Sequence, residues 1–412
     1  MGTYPRYKVK RQDLVKTFGL QPFGAFIKDG SIIPGWSASF ESDQAIANLT
    51  VMGCWPQIRD LVMAAGNDGN VYGGALGTEF VRLYFDTGSS PFKIEIFNSS
   101  PYGIIISGKR YMRLSDGGFH SYSFPVGLAC GAMRRGRLFG GDTSMPYTLR
   151  WSGPSGFLDW TEGMPSGAGK LVLEPTGGHI IDLFDFEDEL VVFRETSIMR
   201  FSVYGDPENF KEKDSLPVPD IARHTMAIAG DSILFFCLGG LMRYRGGKVA
   251  RIQGLITDDL VSPVSVFVGS DRYYFVCGTS KSLGRSVIYV YDVVCDCCQI
   301  IDIPAYFVSQ DKQSVLAYTE SGIYRLNLNS EEIPYGVVTG SVDFGTDKRK
   351  LATLLEVDCD EDVKVIISDG VNERTVDCPN GRTRLNMRGS RFTVTFCGTG
   401  SVRSAYLSAE VT

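Results

Sequence analysis

Four clusters in this sequence hold residue types that could do chemistry. The densest is Cys295-Asp296-Cys297-Cys298. Thiolates at such spacing can ligate a soft metal ion. A zinc site normally joins two separated ligand pairs of CxxC type, whereas the next cysteines along the chain are Cys277 and Cys359. On a strand Cys295 and Cys297 share one face and Cys298 faces the other way. The cluster therefore reads as reduced structural thiols, with a disulfide or a metal site as alternatives. A second cluster, Asp358-Cys359-Asp360-Glu361-Asp362, alternates acids like the start of a calcium loop. Val363 stands where that loop needs Gly, and Asp369 where it needs Glu, so a solvated acidic turn is expected. Third, Asp185-Phe186-Glu187-Asp188-Glu189 could supply the paired carboxylates of a glycosidase, although acids are also ordinary turn residues. The fourth group is basic: Arg134-Arg135-Gly136-Arg137, Lys348-Arg349-Lys350, and Arg382, Arg384, Arg388 and Arg391. Arg382 and Arg384 fall on one strand face, a possible dock for an acidic partner.

Catalytic machinery is otherwise sparse. The three histidines, His120, His179 and His224, are far apart and lack metal-ligand spacing. No nucleophile elbow, phosphate loop or dinucleotide fingerprint occurs. The sequence predicts no catalytic residues, no cofactor and no metal. A formal net charge of −6 argues against general affinity for nucleic acid or anionic membrane. Most of the ten cysteines lie in apolar strand patterns, as in Phe236-Cys237-Leu238, which fits folding in a reducing cytosol. The first residues carry no apolar signal core, and no run approaches the roughly 20 apolar residues of a spanning helix.

The elements that would position these residues are strands. Gly (47 residues) and aromatics (12%) are both abundant, the composition of short strands joined by tight turns. Four segments share an apolar strand, a tight turn and an apolar-Arg/Tyr-apolar strand. They begin at Tyr102, Glu189, Ser232 and Ser314. A repeated hairpin that cannot bury itself alone implies radial or stacked sheets. Grouping the hairpins predicts a β-propeller of six or seven blades, each of about 35–45 residues, over residues 51–335. Residues 1–50 read as an irregular arm, with a helical turn at Gln12–Lys16, lying on its own domain or on a neighbour. Residues 336–412 read as a small C-terminal β-sandwich. The chain is thus predicted to be all-β. Trp151 and Trp160 follow strand-like runs and are expected to be structural anchors rather than ligand platforms.

The order of motifs in the middle of the chain carries a resemblance. Arg137-Leu138-Phe139-Gly140-Gly141, Leu149-Arg150-Trp151-Ser152 and Asp159-Trp160 come first. Ile180-Ile181-Asp182-Leu183, Leu190-Val191-Val192-Phe193-Arg194-Glu195, Ser197-Ile198-Met199-Arg200 and Gly205-Asp206-Pro207-Glu208-Asn209-Phe210 follow, and Val287-Ile288-Tyr289-Val290-Tyr291-Asp292 comes late. Over residues 130–330 this series resembles the β-propeller proteins of the tailed-bacteriophage neck and tail, of stabilisation, tail-nozzle and tail-tubular type. In that family a Trp-containing polar stretch commonly follows the last strand, where this chain has Cys295-Asp296-Cys297-Cys298. The resemblance implies a non-enzymatic structural virion protein folded in the host cytoplasm, without membrane insertion. It implies a homo-oligomeric, hexameric ring joined to portal or adaptor proteins, through which genomic DNA is retained and released without sequence reading. The alternative is a receptor- or glycan-binding propeller at the tail tip, which exposed aromatics on blade-end loops would mark.

Overall fold

The computed structural model describes backbone and side chains for most of residues 125–411 and for most of 8–42, and strand backbone within 51–124. The turn at Asn67–Asn70, Tyr102 and the side chains of Cys54, His120, Glu361 and Cys378 lie outside the described residues. The protein is all-β, and its fold is a β-propeller accompanied by a two-sheet sandwich. The chain forms two compact units, neither contiguous in sequence. One is Glu41–Arg285 with Pro304–Ile323, and the other is Met1–Phe40, Ser286–Ile303 and Tyr324–Thr412.

The first unit is built from antiparallel meanders in which each strand bonds to its sequence neighbour. Val51–Ile58, Leu61–Gly66, Val71–Gly74 and Val81–Tyr84 make one four-stranded sheet. Ile180–Phe186, Glu189–Arg194, Ser197–Ser202 and Lys211–Pro217 make another, and Ala227–Ala229, Ser232–Cys237, Gly240–Arg245 and Lys248–Arg251 a third. Between the first two lies a six-stranded sheet running from Ile94–Glu95 to Gly169–Val172. Hairpins follow at Leu260–Gly269 with Tyr273–Ser280, and at Ala305–Asp311 with Ser314–Thr319. Burial grades outward in the meanders whose side chains are described, as radial packing requires. Glu189–Arg194 and Ser232–Cys237 are buried at every position, whereas Lys211–Pro217 is mostly exposed. Several leading strands abut one another. Gly118–Arg134 lies beside Ile180–Phe186, Ala227–Ala229 beside Leu260–Gly269, and Leu260–Gly269 beside Ala305–Asp311. Ala305–Asp311 in turn lies beside Val51–Ile58. Leading strands at Val51, Gly118, Ile180, Ala227, Leu260 and Ala305 mark six blades among the described residues.

Apolar contacts fill the gaps between blades. Cys130, Phe139 and Trp151 pack with Ile180, Leu183 and Val192. Phe184 and Phe193 pack with Met226, Ile233 and Phe235, the Phe193 and Phe235 rings meeting edge to face at 5.3 Å.

One of the four predicted hairpins is absent. Gly103–Ser115 is a single strand that continues through Gly108, and the register shift beside it puts the extra residues on the partner strand, between Ser123 and Leu128. The extra residue of a bulge bends a strand without ending it.

The second unit is the sandwich. One sheet has the order Ala25–Lys28, Ser31–Pro34, Val402–Val411, Lys350–Cys359, Gly381–Gly389, with Lys8–Asp13 also paired to Val402–Val411. The other joins Arg285–Asp292, Cys297–Ile301, Gln21–Phe23, Tyr335–Val338, Thr393–Gly398, Val363–Ser368 and Glu373–Asp377. Leu355, Val357, Phe392, Phe396, Ala405 and Leu407 form the core between them. Leu14 and Ile32 enter the same core. The N-terminal residues therefore lie on their own unit as short strands, and Val15 and Lys16 cap onto Asp13 after a strand rather than opening a helix.

Candidate functional site

The acidic turn at residues 185–189 and the basic patch at 134–137 meet in space. Both sit on hairpin ends of adjacent blades, where charged turn residues escape the apolar interior. Arg134, 5% exposed, donates to Asp185 and to the backbone carbonyl of Asp188, and its Nη2 lies 3.0 Å from Asp188 Oδ1. Arg135 reaches Asp188 as well, at 3.0 Å. Glu187 turns the other way and accepts the Gly246 amide at 2.9 Å, on the next blade. Glu189 binds Arg200 through both oxygens, at 2.6 and 3.1 Å, and also Lys213. Arg200 continues to Asp214 at 2.8 Å. One turn thereby ties three consecutive blades together by charge-assisted hydrogen bonds.

The electrostatics follow from that pairing. Hydrogen bonding from Arg134 and the charge of Arg135 hold the Asp188 carboxyl below its usual range. Burial pushes Glu189 upward, but Arg200 and Lys213 outweigh it and hold it low. Paired carboxylates serving hydrolysis need their values pushed apart, one of them raised. Asp188 and Glu189 are both depressed, and each is held by cations of its own or the preceding blade.

Asp358 and Asp360 are likewise engaged. Arg403 bridges them at 2.8 Å each, and the Ser401 amide donates to Asp360 at 2.8 Å. That amide and Arg403 keep Asp360 below its usual range. The cation that this cluster meets is an arginine of the neighbouring strand Val402–Val411.

Arg382, Arg384 and Arg388 lie on the strand Gly381–Gly389. It is the edge of its sheet. Leu385 and Met387 point into the core, and Arg382, Arg384, Asn386 and Arg388 stand exposed. Arg382 pairs with Glu356 at 3.2 Å, and Arg391, beyond the strand, pairs with Asp347 at 3.1 Å. Arg384 and Arg388 have no ion pair among the described residues. Two cations on an exposed edge both discourage edge-to-edge pairing and offer charge to an acidic partner.

Trp151 is 8% exposed, donates Nε1–H to the Gly167 carbonyl at 3.2 Å and meets the Phe210 ring at 5.3 Å. Trp160 is buried as well. Tyr204, exposed, is covered by the Arg135 guanidinium at 4.8 Å.

The eight described cysteines form no disulfide. Burial pushes the Cys277 thiol up to about 12, which makes it inert at neutral pH. The 295–298 cluster differs, because the hairpin Arg285–Asp292 to Cys297–Ile301 folds Asp292 onto it. Asp292, Cys295 and Cys297 place ligand atoms within 4.8 Å of one another. Attention to Cys spacing alone missed Asp292. The signal was the acid ending the apolar strand, three residues before Cys295.

No family model and no curated protein matches the chain. Among solved structures, BBS1N in complex with ARL6DN superposes with a TM-score of 0.51 at 9% identity, over 71% of this chain and 96% of that one. The WD40 β-propeller domain of Doa1 gives 0.49 at 12% identity, over 70% and 96%. At these identities the likeness to BBS1N concerns the fold alone. No helix among the described residues is long and apolar enough to cross a membrane.

Proposed function

We propose that the protein is a structural component of a tailed-bacteriophage virion, a propeller assembled as a ring in the neck or tail. The observation that carries this reading is where the family-like motifs fall. All but Val287–Asp292 fall on the strands and connecting turns of two adjacent blades, and their unusual residues have local physical reasons. Gly140, on Arg137–Asp142, passes so close to its neighbour that an added Cβ would lie 2.7 Å from Leu128 Cδ2 and 2.8 Å from the Cys130 carbonyl oxygen. Trp151 and Phe210, from two of the motifs, are ring partners. Arg194 is buried and stitches the Glu174 and Gly178 carbonyls to its strand. The series thus reads as one blade-to-blade packing solution, which supports common descent with the family it resembles.

The rest of the molecule is compatible with mechanical work. The acidic turn locks blades together, and the edge strand bearing Arg384 and Arg388 offers a docking face for an acidic neighbour. The net negative charge suits a conduit that must release DNA rather than hold its phosphates. A cryo-EM map of the assembled particle is the test, with sixfold copies around the tail axis expected. Copies at fibre tips, together with glycan binding by the purified chain, would instead make it a receptor-binding propeller.

A further inference from the structure

The hairpin turn at residues 292–297 has the makings of a metal site. Asp292 closes the strand Arg285–Asp292 and is 2% exposed. Its Oδ1 accepts the amides of Val294 and Cys295 at 3.0 and 3.1 Å, which fixes the carboxylate toward the turn. Asp296 adopts positive φ (53°), so the chain reverses tightly enough to put Cys295 and Cys297 on the same side. Cys297 is 9% exposed and Cys295 is half-buried. Lys28, from the strand Ala25–Lys28, donates Nζ–H to Cys295 Sγ at 3.4 Å.

We infer that Asp292, Cys295 and Cys297 bind one borderline-soft divalent cation of the zinc type. Two thiolates and a carboxylate are a zinc donor set, and a calcium or magnesium site would lack the sulfurs. A tetrahedral ion with Zn–S near 2.3 Å holds its ligand atoms about 3.8 Å apart. The observed spacing, within 4.8 Å, closes to that value by side-chain rotations of about 1 Å. Three anionic donors leave a dication one charge negative, and the Lys28 ammonium balances it. The amide bonds to Asp292 supply the outer-shell orientation that such ligands need. All three donors come from six residues, so the loop entropy lost on binding is small. The fourth position is open to water. Cys298, on the opposite face of the strand, is not a ligand. Its Sγ lies 3.5 Å from the Gln299 carbonyl oxygen.

The full chain, purified under reducing conditions, loaded with zinc and freed of excess by gel filtration, tests this. About one zinc per chain is expected, with Cys297→Ser and Asp292→Asn each retaining less than about a tenth of it and Cys298→Ser retaining all. Cobalt loading of the wild-type chain should give a thiolate-to-cobalt charge-transfer band that zinc abolishes. That readout stands even if a variant fails to fold. Zinc far below one equivalent without the cobalt band overturns the site, as does loss on Cys298→Ser equal to that on Cys297→Ser. A Cys295–Cys297 disulfide in the protein isolated without reductant, found by peptide mass spectrometry, also overturns it.

Discussion

Charged residues that look like separate chemical opportunities along the chain are one another's partners in the fold. Arg134 and Arg135 answer Asp185 and Asp188, and Arg403 answers Asp358 and Asp360. Each cluster was visible in the sequence, but the pairing was not, because it depends on which hairpin ends the sheet order makes adjacent. Asp292, by contrast, was legible as the acid that ends its strand three residues before Cys295. Glu189 is the most consequential of these groups, being buried against Arg200 and Lys213. Replacing it by Gln removes one of the two carboxylates on Arg200, Asp214 remaining, and the partner of the half-exposed Lys213, and should cost about 1–2 kcal/mol. The pH dependence follows from the depressed values of Glu189 and Asp188. Their folded pKa lies below the unfolded one, so as the medium acidifies the unfolded state takes up protons before the folded state does. Their contribution is complete above the ordinary carboxylate range of about 4 and disappears as pH falls through and below it. Urea midpoints measured from pH 7 to pH 3 should therefore converge for wild type and Glu189→Gln at the acid end. Parallel curves would assign the loss to packing instead. Trp151→Ala and Trp160→Ala should each cost about 3–5 kcal/mol in thermal unfolding, since each removes a buried indole. Near-wild-type melting with lost partner binding would make them ligand platforms.

Hairpins were the most legible elements, because alternating apolar runs broken by Gly or acidic pairs fix both strands and turn. Glu189–Arg194 with Ser197–Ser202, and Ser232–Cys237 with Gly240–Arg245, form as expected. Gly103–Ser115 did not divide: Gly108 lies inside the strand, and the irregularity falls on its partner between Ser123 and Leu128, which a glycine read as turn punctuation could not foresee. Gly381–Gly389 is the least legible strand of the C-terminal segment. Its arginines gave it the look of a solvated run, although they alternate with Leu385 and Met387 as an edge strand should. At this scale the sharpest test is Gly140→Ala. The added methyl meets a leucine methyl and a backbone carbonyl inside a paired strand. Overpacking of that kind should cost about 1–3 kcal/mol. A wild-type melting temperature would show that the blades adjust freely, and the close approach behind the paired glycines of this motif would lose its meaning. Arg384→Glu with Arg388→Glu should leave melting nearly unchanged, within about 0.5 kcal/mol, since both side chains are exposed. Salt-sensitive association with an acidic neighbour should disappear, as sedimentation at low and high salt would read.

For the whole molecule, the sequence conveyed the all-β propeller and the sandwich but not the membership of the first 42 residues. Strands of three or four residues containing Pro22 and Pro34 carry too little periodicity to be distinguished from an extended arm. In the structure Trp36–Ser42 lies beside Gly322–Leu328, with Asn327 donating to Ser39 at 3.1 Å and Phe40 edge-on to Tyr324. Lys8–Asp13 pairs in full register with the last strand. An arm that needs a neighbour therefore no longer argues for a ring, and the proposal of one rests on the family-like motifs and the cationic edge. The two roles for this segment predict opposite results on deleting residues 1–42. If the segment completes its own chain, as its pairing indicates, the truncated protein loses a sandwich sheet's outer strands and the partner of Gly322–Leu328. It should then unfold without a cooperative transition or fail to accumulate in soluble form. A truncation that melts like the full chain, yet no longer assembles, would return the segment to the role of an arm reaching across a subunit boundary. Circular dichroism melts and sedimentation of the two proteins side by side decide between these outcomes, since closure within the chain must register in the monomer and closure between chains only in the assembly.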